Sequence, residues 1–454
     1  MKRLYLIILG IMMQLPLFSQ SMEEALSIGM PIYLGTGYTA AMGAANTALL
    51  NGSEAMGFNP AGLAGSTQSS LSIDLVSHYF NNDARFFHNQ TSYSKYFANI
   101  RSINISLALP ATRGSASIGL GYNRVKDLDY SLNFSGFNTN SNGLGFEVTG
   151  SNNTVELADF DRNVHQEEFI INRGGIGMYS LGGAMAVAPG TLAGISLDYY
   201  RGSSDYTQLF EQTDVNNVYN QFPADFYSYS LNRTLNQTFS GFGIRLGIIA
   251  ELSESFQLGA MYQSPIRFTV DEIYNENDDL VFDDGYEDAY DYGTYEYGYN
   301  LKMPAVFSAA VGWQSYGVSL SARFDFRDWT TMEFSAPDIA DDFSAFQSLN
   351  NNIQRNLKAT INQHIGAAFQ LPGDRVTLRA GFVNQPSPYN SLAEEESRKT
   401  YTGGVEVKLN EHFSLNLALV HQNYQQISED SFTPGGTTED INSSKMIIGF
   451  NYRY

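Results

Sequence analysis

Apolar and polar residues alternate one by one along several segments of this chain. In the run 317–327, five apolar residues share one face and five polar or charged residues share the other. The same pattern recurs in 102–109, 376–382, 413–419 and 446–454. Because successive side chains of an extended strand point to opposite faces, this period of two predicts β-strands and excludes amphipathic helices in these runs.

The connections between these segments alternate strictly between short and long. Tight links occur at Pro110 to Gly114, Pro189 to Thr191, Ser253 to Glu254, Gln314 to Ser315, Pro372 to Asp374 and Asn410 to Glu411. Long polar stretches, predicted to be loops, cover residues 79–99, 126–174, 202–235, 273–298, 329–359, 385–397 and 424–443. Water-facing β-sandwiches alternate as well, but one rim of brief turns and one rim of long loops is typical of outer-membrane barrels. The pattern predicts an all-β fold, a transmembrane antiparallel barrel of about 14 strands with both ends periplasmic.

Aromatic residues mark the predicted limits of the apolar band. A strand from Tyr316 to Trp329 would rise by about 33 Å, enough to reach both membrane interfaces. We therefore expect Trp313 and Tyr316 near the periplasmic interface and Trp329 near the outer one, where amphipathic rings are favoured. The alternative is that the two tryptophans are ordinary core residues.

The first 66 residues do not alternate. Residues 1–20 combine Lys2 and Arg3 with an apolar run and then small polar residues, as in a secretory signal peptide, and a retained anchor helix is the weaker reading. Residues 21–66 are rich in glycine and alanine and predict a hatch folded inside the lumen of the barrel formed by residues 67–454. No cysteine is present, so neither a lipidated N-terminus nor a disulfide can contribute.

Composition and charge exclude several classes of function. A formal net charge of -21 disfavours nucleic acid as a partner, because phosphates would be repelled. The stretch 271–296 holds about eleven acidic residues among tyrosines. It predicts a solvated external loop that meets cations at the lipopolysaccharide surface, or a tyrosine-rich ligand or partner surface. No nucleophile motif and no zinc-ligand spacing accompany the six histidines, so we expect no enzyme activity, no cofactor and no metal.

Four separated motifs resemble the FadL-like family of outer-membrane transporters for long-chain fatty acids and other hydrophobic compounds. A small-residue stretch leads to Asn59, Pro60 and Ala61 just before the first strand. The other matches are Tyr262 to Ile266, the segment from Lys302 through Pro304 and Gly312 to Asp325 and Trp329, and Arg379 to Phe382 followed by Ser387 and Pro388. They occur in family order and cover nearly the whole chain after residue 20.

The resemblance implies a fourteen-stranded barrel closed by an N-terminal hatch, which takes up hydrophobic small molecules passively across the outer membrane of a Gram-negative bacterium. The motif Phe58, Asn59, Pro60, Ala61 and Gly62 would shape the hatch or gate the ligand path. The family's lateral opening, at an inward kink of the third strand, would lie within 115–125. Gly119 and Gly121 could permit that kink, or could simply make room for the hatch.

Strand alternation places seven charged residues on the lumen side: Arg245, Arg267, Arg323, Asp325, Arg327, Arg375 and Arg379. We expect Arg245, Arg323, Arg327 and Arg379 to bind hatch groups or a ligand carboxylate. Expected partners are the hydrophobic ligand, outer-membrane lipid and lipopolysaccharide. The main alternative is a PorV-like component of a protein secretion system that binds exported cargo, and a nonspecific diffusion porin is a third reading.

Overall fold

The computed structural model describes residues 21–30, 32–336, 343–391, 397–428 and 432–454, with only the backbone described for 343–345. The predicted signal peptide lies outside this part of the chain. Strands dominate the described residues, and no helix among them is long and apolar enough to cross a membrane.

The helices are α1 (Met22–Gly29), α2 (Gly37–Ala40) and α3 (Phe343–Asn356), with 3-10 helices at Gly52–Ala55, Pro60–Gly65 and Trp329–Thr331. The strands are β1 (Ser70–Phe86), β2 (Asn89–Leu109), β3 (Ala116–Asp127), β4 (Tyr130–Phe137), β5 (Gly145–Thr149), β6 (Val155–Asp159), β7 (His165–Ala188), β8 (Thr191–Thr213), β9 (Phe226–Glu251), β10 (Phe256–Gln263), β11 (Ile266–Phe282), β12 (Glu287–Met303), β13 (Val306–Ser315), β14 (Val318–Asp328), β15 (Glu333–Ser335), β16 (Ala359–Gln370), β17 (Val376–Gln385), β18 (Arg398–Lys408), β19 (Phe413–Ser428) and β20 (Thr437–Arg453).

All strands except the small hairpin β5–β6 belong to one antiparallel sheet. Four barrel strands are each interrupted once, so that β3 and β4, β10 and β11, β12 and β13, and β14 and β15 act as pairs. The eighteen segments therefore form fourteen strands. β20 pairs with β1 over sixteen residues, from Ser70 opposite Arg453 to Arg85 opposite Thr438, and closes the barrel. The predicted fold and the six short turns on one rim are confirmed.

The two faces of the wall have inverted polarity compared with a soluble protein. On β8, Ile195 and Leu197 are 48% and 54% exposed, whereas Ser196 and Asp198 between them are each 1% exposed. The apolar side chains face outward and the polar ones face the lumen. A lipid solvent accounts for this arrangement, because it accepts apolar side chains and excludes unpaired polar groups.

Much of what the sequence predicts as loop is strand. β8 and β9 stay paired from Thr191 to Thr213, and β11 and β12 form a hairpin through most of the acidic stretch 271–296. A strand of 23 residues, tilted by roughly 40°, rises about 55 Å and outlasts an apolar band of about 25 Å. Outside the band the outer face of a strand meets water and the buried inner face also carries polar side chains such as Glu272 and Glu276, so the alternation that marks a strand in the sequence is lost.

Three predicted side-chain positions are wrong. Arg267 is exposed, because the break at Ser264–Pro265 reverses the alternation between β10 and β11 and turns Phe268 inward. Arg375 is exposed in the turn before β17. Trp329 does not reach the outer interface; it lies in a 3-10 helix, is 2% exposed, and donates from its ring nitrogen to the hydroxyl of Thr360 at 2.9 Å.

Candidate functional site

The segment 21–66, called the hatch segment below, packs against the lumen face of the wall. Helix α1 begins after Ser21, whose hydroxyl accepts a hydrogen bond from the backbone N–H of Glu24 at 3.0 Å. The 3-10 helix Pro60–Gly65 begins after Asn59, whose side chain caps it through the N–H of Ala61 at 3.1 Å. These caps satisfy backbone donors that would otherwise be buried without partners.

A ring of wall glycines receives the backbone of the hatch segment. A Cβ atom at Gly247 would collide with the amide oxygen of Asn59, and one at Gly381 would collide with the backbone of Met42. Other lumen-facing glycines of this ring make the same kind of close approach: Gly119, Gly182, Gly194, Gly259, Gly312, Gly366 and Gly404. Because glycine lacks a side chain, backbone and backbone can meet here. Gly119 and Gly182 both contact the side chains of Met56 and Leu63. Gly119 therefore makes room for the hatch segment.

The motif Phe58, Asn59, Pro60, Ala61 and Gly62 lies directly on the wall. The amide nitrogen of Asn59 donates to the carbonyl oxygens of Ile248 and Ala260, each at 3.2 Å. Pro60 and Ala61 face Gly194 of β8, while Gly62 fits against Leu50 and Ala55 within the hatch segment. The motif therefore joins the hatch segment to β8, β9 and β10.

We expect Asn59→Ala to loosen this junction by about 1–3 kcal/mol, because it removes the donor to two buried carbonyl groups. Asn59→Asp should loosen it further, because a carboxylate oxygen would then face carbonyl oxygens. Hydrogen exchange of the backbone amides in 57–65 measures the effect. Equal protection in the wild type and both variants would contradict it.

All four expected lumen arginines contact the hatch segment. Arg245 is 1% exposed, binds Asp198 through two nitrogens at 2.6 and 2.7 Å, and donates to the carbonyl oxygen of Phe58 at 3.1 Å. Arg327 donates to the carbonyl oxygen of Gly29 at 2.8 Å. Arg323 lies over the ring of Phe58 at 5.2 Å, and Arg379 lies over the ring of Tyr38 at 4.2 Å.

Wall carboxylates complete these contacts, and only one of the three, Asp325, is among the lumen residues predicted from the sequence. Asp198 holds Arg245, Asp325 holds Arg323 at 3.0 Å, and Glu406 holds Arg379. Asp325 was expected on the lumen side, whereas Asp198 and Glu406 follow from the same alternation and could have been found by it. Each ion pair is buried, so both charges depend on their partner.

The third barrel strand leaves the wall at the end of the predicted range 115–125, after the two glycines. The ladders of β3 with β2 and β7 are regular at Gly119 and Gly121, and a Cβ at Gly121 would meet the side chain of Asn104. The register shifts only between Arg124 and Lys126, and β3 ends at Asp127. The two glycines therefore accommodate neighbouring groups and do not bend the strand.

A seam opens in the wall where β4 turns inward. β2 pairs with β3 only over Ser102–Leu109, while β4 pairs with β7 and not with β2. Asn82 of β1 donates to the carbonyl oxygen of Ser131 at 3.0 Å, and Phe134 of β4 packs on Phe86. The edge of β2 from residue 89 to residue 101 consequently lacks a backbone ladder on this side, within the described residues. This interval is called the seam below.

A cluster of charges lines the inner side of the seam. The carboxylate of Asp127 binds Arg124 at 2.7 Å, lies 3.6 Å from Arg101 and also pairs with Lys445. Arg101 donates in addition to the carbonyl oxygen of Gly35 at 3.1 Å. Arg124 also lies 3.5 Å from Asp129, so three cations meet two carboxylates beside the hatch segment. Such a surplus of positive charge can hold an anionic group.

An apolar cluster, called the lumen cluster below, fills the space above the hatch segment. It joins Leu26 and Ile28 of α1 to inward-facing wall residues such as Phe239 and Phe268, and to Trp329. The seam borders the lumen cluster, because Val125 and Leu128 at the end of β3 belong to the cluster. The buried members of the cluster are Ala25, Leu26, Ile28, Met30, Val125, Leu128, Ile176, Met178, Tyr200, Phe239, Ile266, Phe268, Val270, Tyr299, Leu301, Met303, Trp329, Met332, Phe334, Phe346, Ile353, Leu357 and Tyr389. This cluster is a packed apolar region inside a lumen whose other inward-facing wall residues are largely polar.

Glu24 of α1 is a buried acid in this region. It accepts hydrogen bonds from Gln237 and, at 3.2 Å, from Tyr299. Burial, and next the negative charge of Glu272, raise the pKa of Glu24 well above its usual value. Because the pKa is raised when α1 is packed in the lumen, the packed position of α1 is more stable when Glu24 is protonated than when it is ionised. This contribution is complete below the ordinary glutamate pKa of about 4.3 and is lost as pH rises through the raised value.

We therefore expect α1 to loosen in the wild type as pH rises above the ordinary glutamate pKa of about 4.3. The ring of Trp329 lies over Gly29, so its fluorescence reports on α1. Trp313→Phe removes the other of the two tryptophans. In that background Glu24→Gln should abolish the pH response. An identical response with Glu24→Gln would exclude Glu24 as its source.

Histidine and serine meet at one buried position without forming a catalytic triad. His78 Nε2 lies 2.8 Å from the hydroxyl of Ser443, but its Nδ1 has no hydrogen-bond partner to orient the ring. Among the described residues, no group of three His, Cys, Asp or Glu side chains could hold a metal ion.

Comparison with known proteins identifies the fold. No protein-family model matches the sequence, and no curated protein matches it. Among solved structures, the Pseudomonas putida toluene transporter TodX aligns with a TM-score of 0.57 at 14% identity, over 93% of this chain and 99% of its own. A Pseudomonas aeruginosa FadL homologue aligns with a TM-score of 0.56 at 12% identity, over 94% and 99%.

The Ralstonia pickettii toluene transporter TbuX aligns with a TM-score of 0.51 at 16% identity, over 93% of this chain and 99% of its own. The chain therefore has the fold of the FadL-like barrels, which match it along nearly their whole length. The resemblance predicted from Asn59, Pro60 and Ala61 is confirmed at the level of fold.

Proposed function

We propose that this protein is an outer-membrane channel of a Gram-negative bacterium for the passive uptake of hydrophobic small molecules. The observation that carries the proposal is the lumen cluster, a packed set of apolar side chains that lies between the hatch segment and the seam inside a barrel whose outer face is also apolar. A hydrophobic solute gains roughly 0.8 kcal/mol per CH₂ group that leaves water, so it would bind among these side chains once α1 moves aside.

We propose further that residues 21–66 are a movable hatch. The four arginines and Asn59 hold it in place, and α1 carries Leu26 and Ile28 into the lumen cluster. A shift of α1 would change the apolar surface that a bound ligand meets, and so would weaken its binding and release it. No energy source is needed, because the ligand moves down its own concentration gradient.

The seam is the proposed exit. A ligand that leaves the lumen cluster past Val125 and Leu128 would enter the membrane between β2 and β4 instead of crossing the whole barrel. Arg101, Arg124 and Lys445 would then meet any anionic end of the ligand. This placement favours long-chain fatty acids among the hydrophobic candidates, with neutral aromatic hydrocarbons as the second class. The solved toluene transporters of this fold support the second class.

Uptake by cells tests the proposal. A deletion strain, the same strain carrying the wild-type gene, and one carrying an empty vector are compared for uptake of radiolabelled oleate and toluene. We expect the gene to raise uptake of at least one compound several-fold. Equal uptake of both compounds, together with an exported protein that copurifies with the barrel and is no longer secreted by the deletion strain, would replace this proposal with the PorV-like role.

A further inference from the structure

The membrane-facing side of the barrel carries a groove of about 560 Å³, away from the lumen. It crosses β1, β20, β19 and β18, and Tyr96 of β2 forms one end of it. Small outward-facing residues, Ser77, Ser444 and Gly403, form its floor, and Tyr401 stands near the other end. This groove is called the outer groove below. Its volume lies in the range of small-molecule sites.

The floor residues face outward because their chain neighbours face the lumen. Val76, Thr402 and Ser443 are all buried, and strand side chains alternate. Tyr96 and Tyr401 are 72% and 51% exposed, and each ring packs on one neighbour, Tyr79 and Phe382 respectively. Between the two rings the outward row holds Tyr79, Ser444 and His421, and the next row holds Ser77, Met446, Leu419 and Gly403. The small residues in these two rows form the low parts of the groove.

The outer groove lies where the outward-facing positions change from apolar to polar. On its short-turn side the groove is lined by Leu419 and Met446, which lie in one row with Ser77 and Gly403, and Leu75 follows toward the short-turn rim; all three apolar side chains are exposed. Toward the long-loop rim, the outward side chains next to the groove are Lys399 and Asn423, also exposed. This change marks the head-group level of the leaflet on the side of the long connections. The only solvent that reaches the groove is therefore the outer leaflet.

A pair of polar side chains lies within the groove. Nδ1 of His421 is 3.0 Å from the hydroxyl oxygen of Ser444, and this contact leaves Nε2 of the exposed ring available to a ligand. A polar pair on a lipid-facing wall is unfavourable unless the adjacent lipid offers hydrogen-bonding groups. Lys399 lies one outward position further along β18 from Tyr401 and adds a positive charge.

We propose that the outer groove binds one acylated, phosphorylated glycolipid of the lipid A type. One acyl chain lies over Met446 and Leu419, between the low positions Ser77 and Gly403, and continues toward the short-turn rim beside Leu75. The sugar hydroxyl groups bond His421 and Ser444, and a phosphate group approaches Lys399. From the long-loop rim toward the short-turn rim, the lipid thus meets first the positive charge, then the hydrogen-bonding pair and then the apolar residues. The site is independent of the lumen and of the transport proposed above.

A matched pair of glycine variants tests the site. Gly403 and Gly183 are both outward-facing strand glycines whose Cβ position is open, with no atom closer than 3.7 and 4.0 Å respectively. Gly403→Trp fills the outer groove, whereas Gly183→Trp fills a position outside it. Native mass spectrometry of the full chain released from detergent micelles counts the lipid that remains bound after titration with lipid A or with phosphatidylethanolamine.

We expect one lipid A per wild-type chain, at least tenfold weaker binding by Gly403→Trp and unchanged binding by Gly183→Trp. His421→Ala and Lys399→Ala, which leave the floor intact, should each weaken binding about three- to tenfold. Equal binding by both tryptophan variants, or no retained lipid on the wild type, would overturn the proposal. Equal retention of phosphatidylethanolamine would overturn its assignment to a glycolipid.

Discussion

Oxidised protein carrying Ala48→Cys and Gly259→Cys is expected to lose at least nine-tenths of ligand uptake and to regain it on reduction. A Cβ atom at Gly259 lies 3.3 Å from the Cβ atom of Ala48, close to the separation of about 3.5–4.5 Å that a disulfide requires. The bond would tie the hatch segment to β10. If ligand release depends on movement of the hatch segment, this disulfide prevents the movement and therefore the release.

The absence of native cysteine makes this experiment specific, since only the introduced pair can form a disulfide. Each single cysteine variant, with and without reductant, controls for the substitutions. Full uptake by completely oxidised protein would show that the hatch stays in place during transport, and would leave uptake itself established.

Removal of the Arg245 side chain is expected to cause the largest loss of stability. Arg245→Met leaves the Asp198 carboxylate buried without its cation and also removes the donor to the Phe58 carbonyl oxygen. Breaking a buried ion pair from one side costs about 3–5 kcal/mol. We expect the free energy of unfolding in urea, followed by the loss of β-sheet circular dichroism, to fall by this amount.

The partner variant separates charge burial from packing. In the double variant Arg245→Met with Asp198→Leu, no buried charge remains, so most of the lost stability should return. Lys302 offers a matched control, because its ion pair with Glu333 at 3.2 Å is partly exposed and should matter little. A loss below about 1 kcal/mol for Arg245→Met, similar to that for Lys302→Met, would contradict the importance of the pair.

The sequence predicts the wall well because its signal is local. A strand between lipid and lumen must alternate, so β14 and β20 are visible from their own residues. The same reasoning fails where the constraint changes. The hairpin β11–β12 leaves the membrane and loses its alternation, and the break at Ser264–Pro265 moves Arg267 to the outer face.

The interior could be predicted only in outline. The small residues of 21–66 indicate close packing inside a lumen, and Asn59 with Pro60 indicates a fixed turn. Which wall group meets which hatch group depends on residues far apart in the chain: the Asn59 side chain meets Ile248 and Ala260. Neither composition nor periodicity encodes such pairings. The ring of wall glycines is visible in the sequence only as single glycines in separate strands.

The height of the wall has a consequence for the way a solute would arrive. β7, β8, β9 and β11 continue as a paired sheet well beyond the apolar band, and the apolar residues around Phe160, Phe226 and Phe432 gather near its far end. In a lipopolysaccharide membrane such a projection stands among the sugar chains. A hydrophobic molecule that passes along these apolar residues inside the projecting strands would be shielded from the hydrated carbohydrate, which is the main barrier to such molecules at the bacterial surface.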